Sequence, residues 1–257
     1  MHKTHSSTKK LVQTALLVAI AVVLRNFSYM VSFGGQAGMR IGVSGFFSKL
    51  PALLFGPLYG GLASGTLDVL GFLLRPDGGY LPLLTMTAIL GGVLSGYLWR
   101  WLKNADYRRL RIWFVALFAA IALLGVGNHL ALTLHWGAWE AFLLAFKKKT
   151  QLVAFAPYAV AALGFAALGL DALVSKLSRH DLTGTYLKLL VTLGISDIVV
   201  TTLNTFILML FTPSLNALGF TMFYTPRLVQ EVVMVVLSAY VISILLELYN
   251  RAVKPRI

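Results

Sequence analysis

Leu53-Leu54-Phe55-Gly56-Pro57-Leu58-Tyr59-Gly60-Gly61 is followed at once by Leu62-Ala63-Ser64-Gly65-Thr66-Leu67-Asp68-Val69-Leu70-Gly71. Two apolar runs meet at Gly56-Pro57. Proline resists continuing a helix and glycine breaks one, so residues 44–57 and 59–74 read as two short helices in a tight hairpin or broken pair. A carboxylate, Asp68, stands in the middle of the second run. The rest of the chain is as apolar as this stretch. Of its 257 residues, 58% are hydrophobic and 12% are charged, against about 25% charged in an ordinary soluble domain. A soluble enzyme and a disordered chain are both excluded by that balance. The expected class is an all-α polytopic membrane protein.

Working outward, further helices are predicted near 11–33, 81–102, 112–134, 151–175, 186–211 and 227–249, for about eight transmembrane helices in all. A run of about 20 residues spans a roughly 30 Å apolar core. The run from Leu11 is long enough to span and ends without a small-residue cleavage site, so no cleavable signal peptide is expected. The chain reads as one transmembrane domain over residues 1–257.

Charge sets the expected orientation. Lys+Arg total 22 and Asp+Glu 9, a formal net charge of +13. Basic residues gather in the N-terminal tail (Lys3, Lys9, Lys10), after the fourth helix (Arg100, Lys103, Arg108, Arg109, Arg111), before the seventh (Lys176, Arg179, Lys188) and in the C-terminal tail (Arg251, Lys254, Arg256). If every helix crosses, these share one side, which places both termini in the cytoplasm of a multi-pass cell-membrane protein. That reading needs no nucleic-acid partner. Lys147, Lys148 and Lys149 fall on the other side. A flat amphipathic segment at 135–149, with Trp136, Trp139 and Phe142 at the interface, would accommodate them. The loops 34–43, 75–80 and 212–226 then face outward, where a small-molecule pocket would sit.

Several chemistries lack their residues. Cysteine is absent, which removes disulfides and thiolate sites. There is no Walker A pattern, so ATP hydrolysis by that route is excluded. His129 and His135 are not spaced for one helical face, and no metal site, catalytic residue or cofactor is expected. Intramembrane polar groups are therefore the functional candidates. Asp68 could accept hydrogen bonds from a heterocycle or pair structurally with an arginine. Arg40 and Arg227 present planar forks suited to carboxylates, or snorkel to the interface. Asn204 could hold a ligand or join helices. Lys49 could pair with Asp68 or snorkel. Arg227 and Glu231 are spaced to pair along one helix. Ala15 and Ala19, one turn apart, would let another helix approach closely.

Arg40-Ile41, Leu53 to Gly60, Asp68-Val69-Leu70-Gly71, Pro76-Asp77-Gly78-Gly79-Tyr80, Leu203-Asn204-Thr205 and Pro226-Arg227 together resemble the substrate-binding (S) components of energy-coupling factor (ECF) vitamin transporters, folate type. The resemblance covers about 11–102 and 186–250. It implies a six-helix S-component-like core there, with an inserted helical pair at about 103–185. It implies vitamin capture at the outer face by Arg40, Asp68, Tyr80, Asn204 and Arg227, with ring stacking on Tyr80, Phe46 or Phe47. It also implies docking through Ala15 and Ala19 on a transmembrane coupling protein bound to two ATPase subunits. Lys49 and Glu231 depart from the family pattern. Alternative readings are an S-component for a different small vitamin or precursor, and a membrane scaffold whose polar residues only join helices.

Overall fold

The computed structural model describes residues 2–33, 36–76, 79–145, 150–177, 184–213, 215 and 219–253. In chain order they form α1 (His2–Arg25), β1 (Tyr29–Phe33), β2 (Gln36–Ile41), α2 (Ser44–Phe55), α3 (Pro57–Leu74), α4 (Pro82–Leu102), α5 (Tyr107–Thr133), α6 (Gly137–Leu144), α7 (Thr150–Leu177), α8 (Thr185–Phe211) and α9 (Phe220–Val253). The fold is an all-α polytopic membrane architecture carrying one small antiparallel hairpin. Its cross-strand pairs run from Tyr29↔Ile41 to Phe33↔Gln36.

Seven helices among the described residues are long and apolar enough to cross a bilayer, rather than about eight. The exception is α2. Its 12 residues rise only about 18 Å at 1.5 Å per residue. Gly56 ends it at φ +104°, a conformation that favours glycine, and Pro57 starts α3 at once. The quoted stretch therefore forms a broken pair.

Three further boundaries differ from the sequence reading. The first helix stops at Arg25 instead of running to residue 33, because Ser28 Oγ caps the Arg25 carbonyl at 2.6 Å and the chain turns into β1. The 34–43 loop is mostly strand β2. Much of the 212–226 loop is the start of α9, which carries Pro226 inside it. Within 135–149, residues 137–144 form the short helix α6, while Lys147, Lys148 and Lys149 lie outside the described residues.

The helices divide into two compact units, residues 1–104 with 188–257, and residues 105–187. In the first, α3 packs closely along α4. A Cβ on Gly92 would fall on the backbone of Gly60, and one on Gly96 would lie 2.5 Å from Pro57 Cα. The absent side chains let the two backbones touch, the usual device where apolar burial cannot drive helix association. Leu50, Ala52 and Leu53 of α2 and Val235, Ala239 and Ile242 of α9 are buried in this unit. In the second unit α5 packs on α7, with Tyr107 donating to Asp171 at 2.5 Å. There α6 folds onto α5, and the Trp139 indole donates to Asn128 Oδ1 at 3.1 Å.

Candidate functional site

Several polar side chains of the first unit are joined across its helices. Asp68, in the fourth turn of α3, faces Arg25 at the end of α1. The distance from Arg25 Nη1 to Asp68 Oδ1 is 3.7 Å, and Nη1 also donates to the Leu67 carbonyl at 3.2 Å. The other carboxylate oxygen of Asp68 accepts from Thr85 Oγ1 on α4 at 2.7 Å. A hydroxyl has one proton, and that of Thr85 points to the carboxylate. The Tyr80 hydroxyl, 2.9 Å away, must then donate to Thr85. Tyr80, Thr85, Asp68 and Arg25 thus form one chain of hydrogen bonds and charge from the 75–80 loop to α1.

Gly71 explains how Arg25 gets there. A Cβ at Gly71 would occupy the space taken by the Arg25 Nε, Cζ and Cδ atoms. The glycine lies nearly one helical turn beyond Asp68, so the Asp-x-x-Gly spacing leaves a slot through which a guanidinium reaches the carboxylate.

Two further pairs lie on α8. Lys49 of α2 makes an ion pair with Asp197. Thr87 of α4 hydrogen-bonds to Asn204. Asp197 and Asn204 stand two turns apart on α8, and each holds a different neighbour. Lys49 selects Asp197 and not Asp68. Glu231 on α9 accepts from Thr201 on α8 at 2.9 Å. Arg227 stacks its guanidinium over Phe223, 5.0 Å from the ring centroid.

A half-open hollow of about 180 Å³ is lined by residues of both ion pairs, Arg25 and Asp68 with Lys49 and Asp197, together with Ser64 and Ser95. A second hollow of about 460 Å³, between α3 and α4, is almost wholly apolar.

The structure thus brings Asp68 and Tyr80 together through Thr85 and sets Asn204 on Thr87, two residues further along α4. Arg227 is on α9 beside Phe223. Arg40 lies in β2 opposite Met30, but its side chain is outside the described residues. Tyr80 is 42% exposed and packs its ring on Phe72, with centroids 5.0 Å apart. Phe46 is buried. Ala15 and Ala19 are exposed, on a strip of α1 with Leu11, Val12, Leu16 and Val23.

Arg25, Thr85 and Thr87 are absent from the sequence-based candidates. Arg25 closes the apolar run of α1, where a basic residue ordinarily reads as an interfacial anchor. The one available signal was Gly71, whose missing side chain marks a close approach.

The ECF transporter, substrate-specific component family model matches residues 9–246. A segment of 58 residues is 38% identical to the folate transporter FolT of Clostridium novyi (strain NT), covering 23% of this chain and 34% of that protein. The matched segment therefore spans about a third of the relative's length. No solved structure matches the chain. The extent of the family match, joined to an apolar bundle whose polar groups turn inward, identifies this chain as a member of the ECF transporter substrate-specific component family.

Proposed function

We propose that this chain captures a folate-class vitamin at the outer face of the cell membrane. It then hands the vitamin to an energising module made of a transmembrane coupling protein and two ATPase subunits. The observation that carries the reading is the polar chain Tyr80–Thr85–Asp68–Arg25, inside a bundle of the substrate-specific component family. Intramembrane charge is costly and is retained where it serves binding or transport. The partial likeness to a folate transporter supports the choice of vitamin.

In this reading Asp68 accepts N–H groups from the edge of a pterin ring, Asn204 adds a donor and an acceptor, and Tyr80 offers a ring for stacking. Arg40 and Arg227 hold the carboxylates of the glutamate tail as planar forks. The exposed Ala15–Ala19 strip of α1 is the docking face for the coupling protein, since small residues allow close helix approach. Residues 11–102 and 186–250 form the six-helix core, and about 103–185 is an added helical pair. The termini lie in the cytoplasm, following the basic tails.

The test is ligand identification. The protein is purified from cells grown on folate, denatured, and the released small molecules are analysed by mass spectrometry. A stoichiometric folate supports the reading. A different stoichiometric vitamin overturns the choice of substrate. An empty protein that also fails to bind folic acid in titration overturns the folate reading.

A further inference from the structure

We propose that the short helix α6 of the second unit is a membrane-interface anchor. It lies at the boundary between headgroups and acyl chains, and the partner that covers its exposed side is phospholipid.

Its composition is wrong for water. The helix reads Gly137-Ala138-Trp139-Glu140-Ala141-Phe142-Leu143-Leu144, and Glu140 is its single charge. Leu143 is buried, but Phe142 is 61% exposed and Leu144 52%. Trp136, just before the helix, and Trp139 are exposed as well, with ring centroids 6.1 Å apart. Bare apolar surface of this kind marks a membrane or protein contact, and tryptophan gathers where bilayer meets water. The eight residues rise only about 12 Å at 1.5 Å per residue, too short for a roughly 30 Å core.

The neighbouring span sets the depth. Arg111 is the last arginine of α5. About 20 apolar residues cross the core, so a count from Ile112 brings its edge to the region of Ala131. The chain folds back to that level. A Cβ on Gly127 would lie 2.8 Å from the Trp139 ring, and the Trp139 indole donates to the buried Asn128. Gly127 precedes Ala131 by about 6 Å of helix rise. Interfacial helices sink their apolar side by a similar depth, about 5–10 Å.

The polar groups of the segment are met within it, as a low-water setting demands. The Gly137 N–H donates to the His135 carbonyl at 2.8 Å, and the Trp139 N–H to that of Trp136 at 3.0 Å. The Thr150 hydroxyl donates to the Leu143 carbonyl at 3.2 Å. His135 Nδ1 and Glu140 Oε1 lie 2.8 Å apart, so the one carboxylate of α6 has its partner at the turn. A helix standing in water would need none of this closure.

The experiment uses the full chain, whose lack of cysteine makes a single introduced thiol unique. Ala138→Cys and, separately, Ala141→Cys are exposed positions of α6; each carries a nitroxide, with the protein in phosphatidylcholine vesicles. Leu123→Cys, exposed within α5, is the lipid reference, and Asn104→Cys, exposed between α4 and α5, the water reference. Oxygen should reach the α6 labels more readily than a water-soluble nickel chelate does, as at Leu123→Cys and opposite to Asn104→Cys. The reverse order puts α6 in water and overturns the anchor. Dipolar broadening between labels on different molecules puts a second copy on α6 and also overturns it. If neither α6 variant folds, wild type and Trp136→Phe are compared in vesicles brominated near the headgroup. The fluorescence lost with Trp136 should be the quenched share, and an unquenched share overturns the anchor. No outcome depends on which vitamin the protein binds.

Discussion

Arg25 occupies the space that a side chain on Gly71 would need, and through that space it reaches Asp68, on the same helix as the glycine. The relationship couples α1 to α3 by one ion pair and one absent methyl group. It also fixes where Asp68 points, since its second oxygen is held by Thr85 from α4. An acid in a bilayer must be neutralised or paired. Here the partner comes from α1, whose outer strip is exposed.

Gly71→Ala should therefore act through Arg25. The added carbon collides with the guanidinium stem, and the pair with Asp68 opens. The expected outcome is a loss of about 2–3 kcal/mol of stability, the scale of overpacking in a closed site, together with weaker folate binding. Thermal unfolding and titration in detergent check both. Gly45→Ala is the control, because nothing lies within 4 Å of a Cβ there, and it should leave stability and binding unchanged.

Lys49 and Asp197 give a second test. Removing one partner strands the other charge, and Asp197→Leu should cost about 3 kcal/mol. Replacing both, as Lys49→Met with Asp197→Leu, should recover most of that loss, because an apolar pair of similar volume replaces the ion pair. Unfolding midpoints of the two single variants and the double variant supply the cycle. Equal loss in the single Asp197→Leu and the double variant would show that the ion pair is not the coupling.

Ala15→Trp places a large ring on the exposed strip of α1, away from Asp68. It should leave ligand affinity unchanged while blocking docking. Co-purification with the energising module should fall at least tenfold, a penalty of about 1.4 kcal/mol or more. Retained co-purification would move the docking face elsewhere.

Much of this architecture can be read from the sequence, for reasons that differ by element. The spans announce themselves through length and apolarity, which the bilayer imposes. The break at Gly56-Pro57 is legible because both residues restrict the backbone. The end of α1 is not, because Phe27, Tyr29, Met30 and Val31 continue the apolar run while the chain turns into a strand. Apolarity alone does not separate a helix from a short hairpin. The same limit applies to α9, whose first turns hold Pro226 yet remain helical. In the site, Asp68 and Asn204 stand out as polar residues in apolar helices. Their partners do not, since Thr85 and Thr87 are ordinary residues in a span and Arg25 looks like an anchor. The choice of Asp197 over Asp68 by Lys49 depends on which helices face one another, and spacing along one helix carries no such information.

The central claim, that this chain captures a folate-class vitamin through Asp68, is met most directly by titrating folic acid into the purified wild type and Asp68→Asn. The account predicts saturable one-to-one binding by the wild type and at least a tenfold weaker affinity in Asp68→Asn, with the fold retained. Binding of folic acid with equal affinity by both proteins, or by neither, would contradict it.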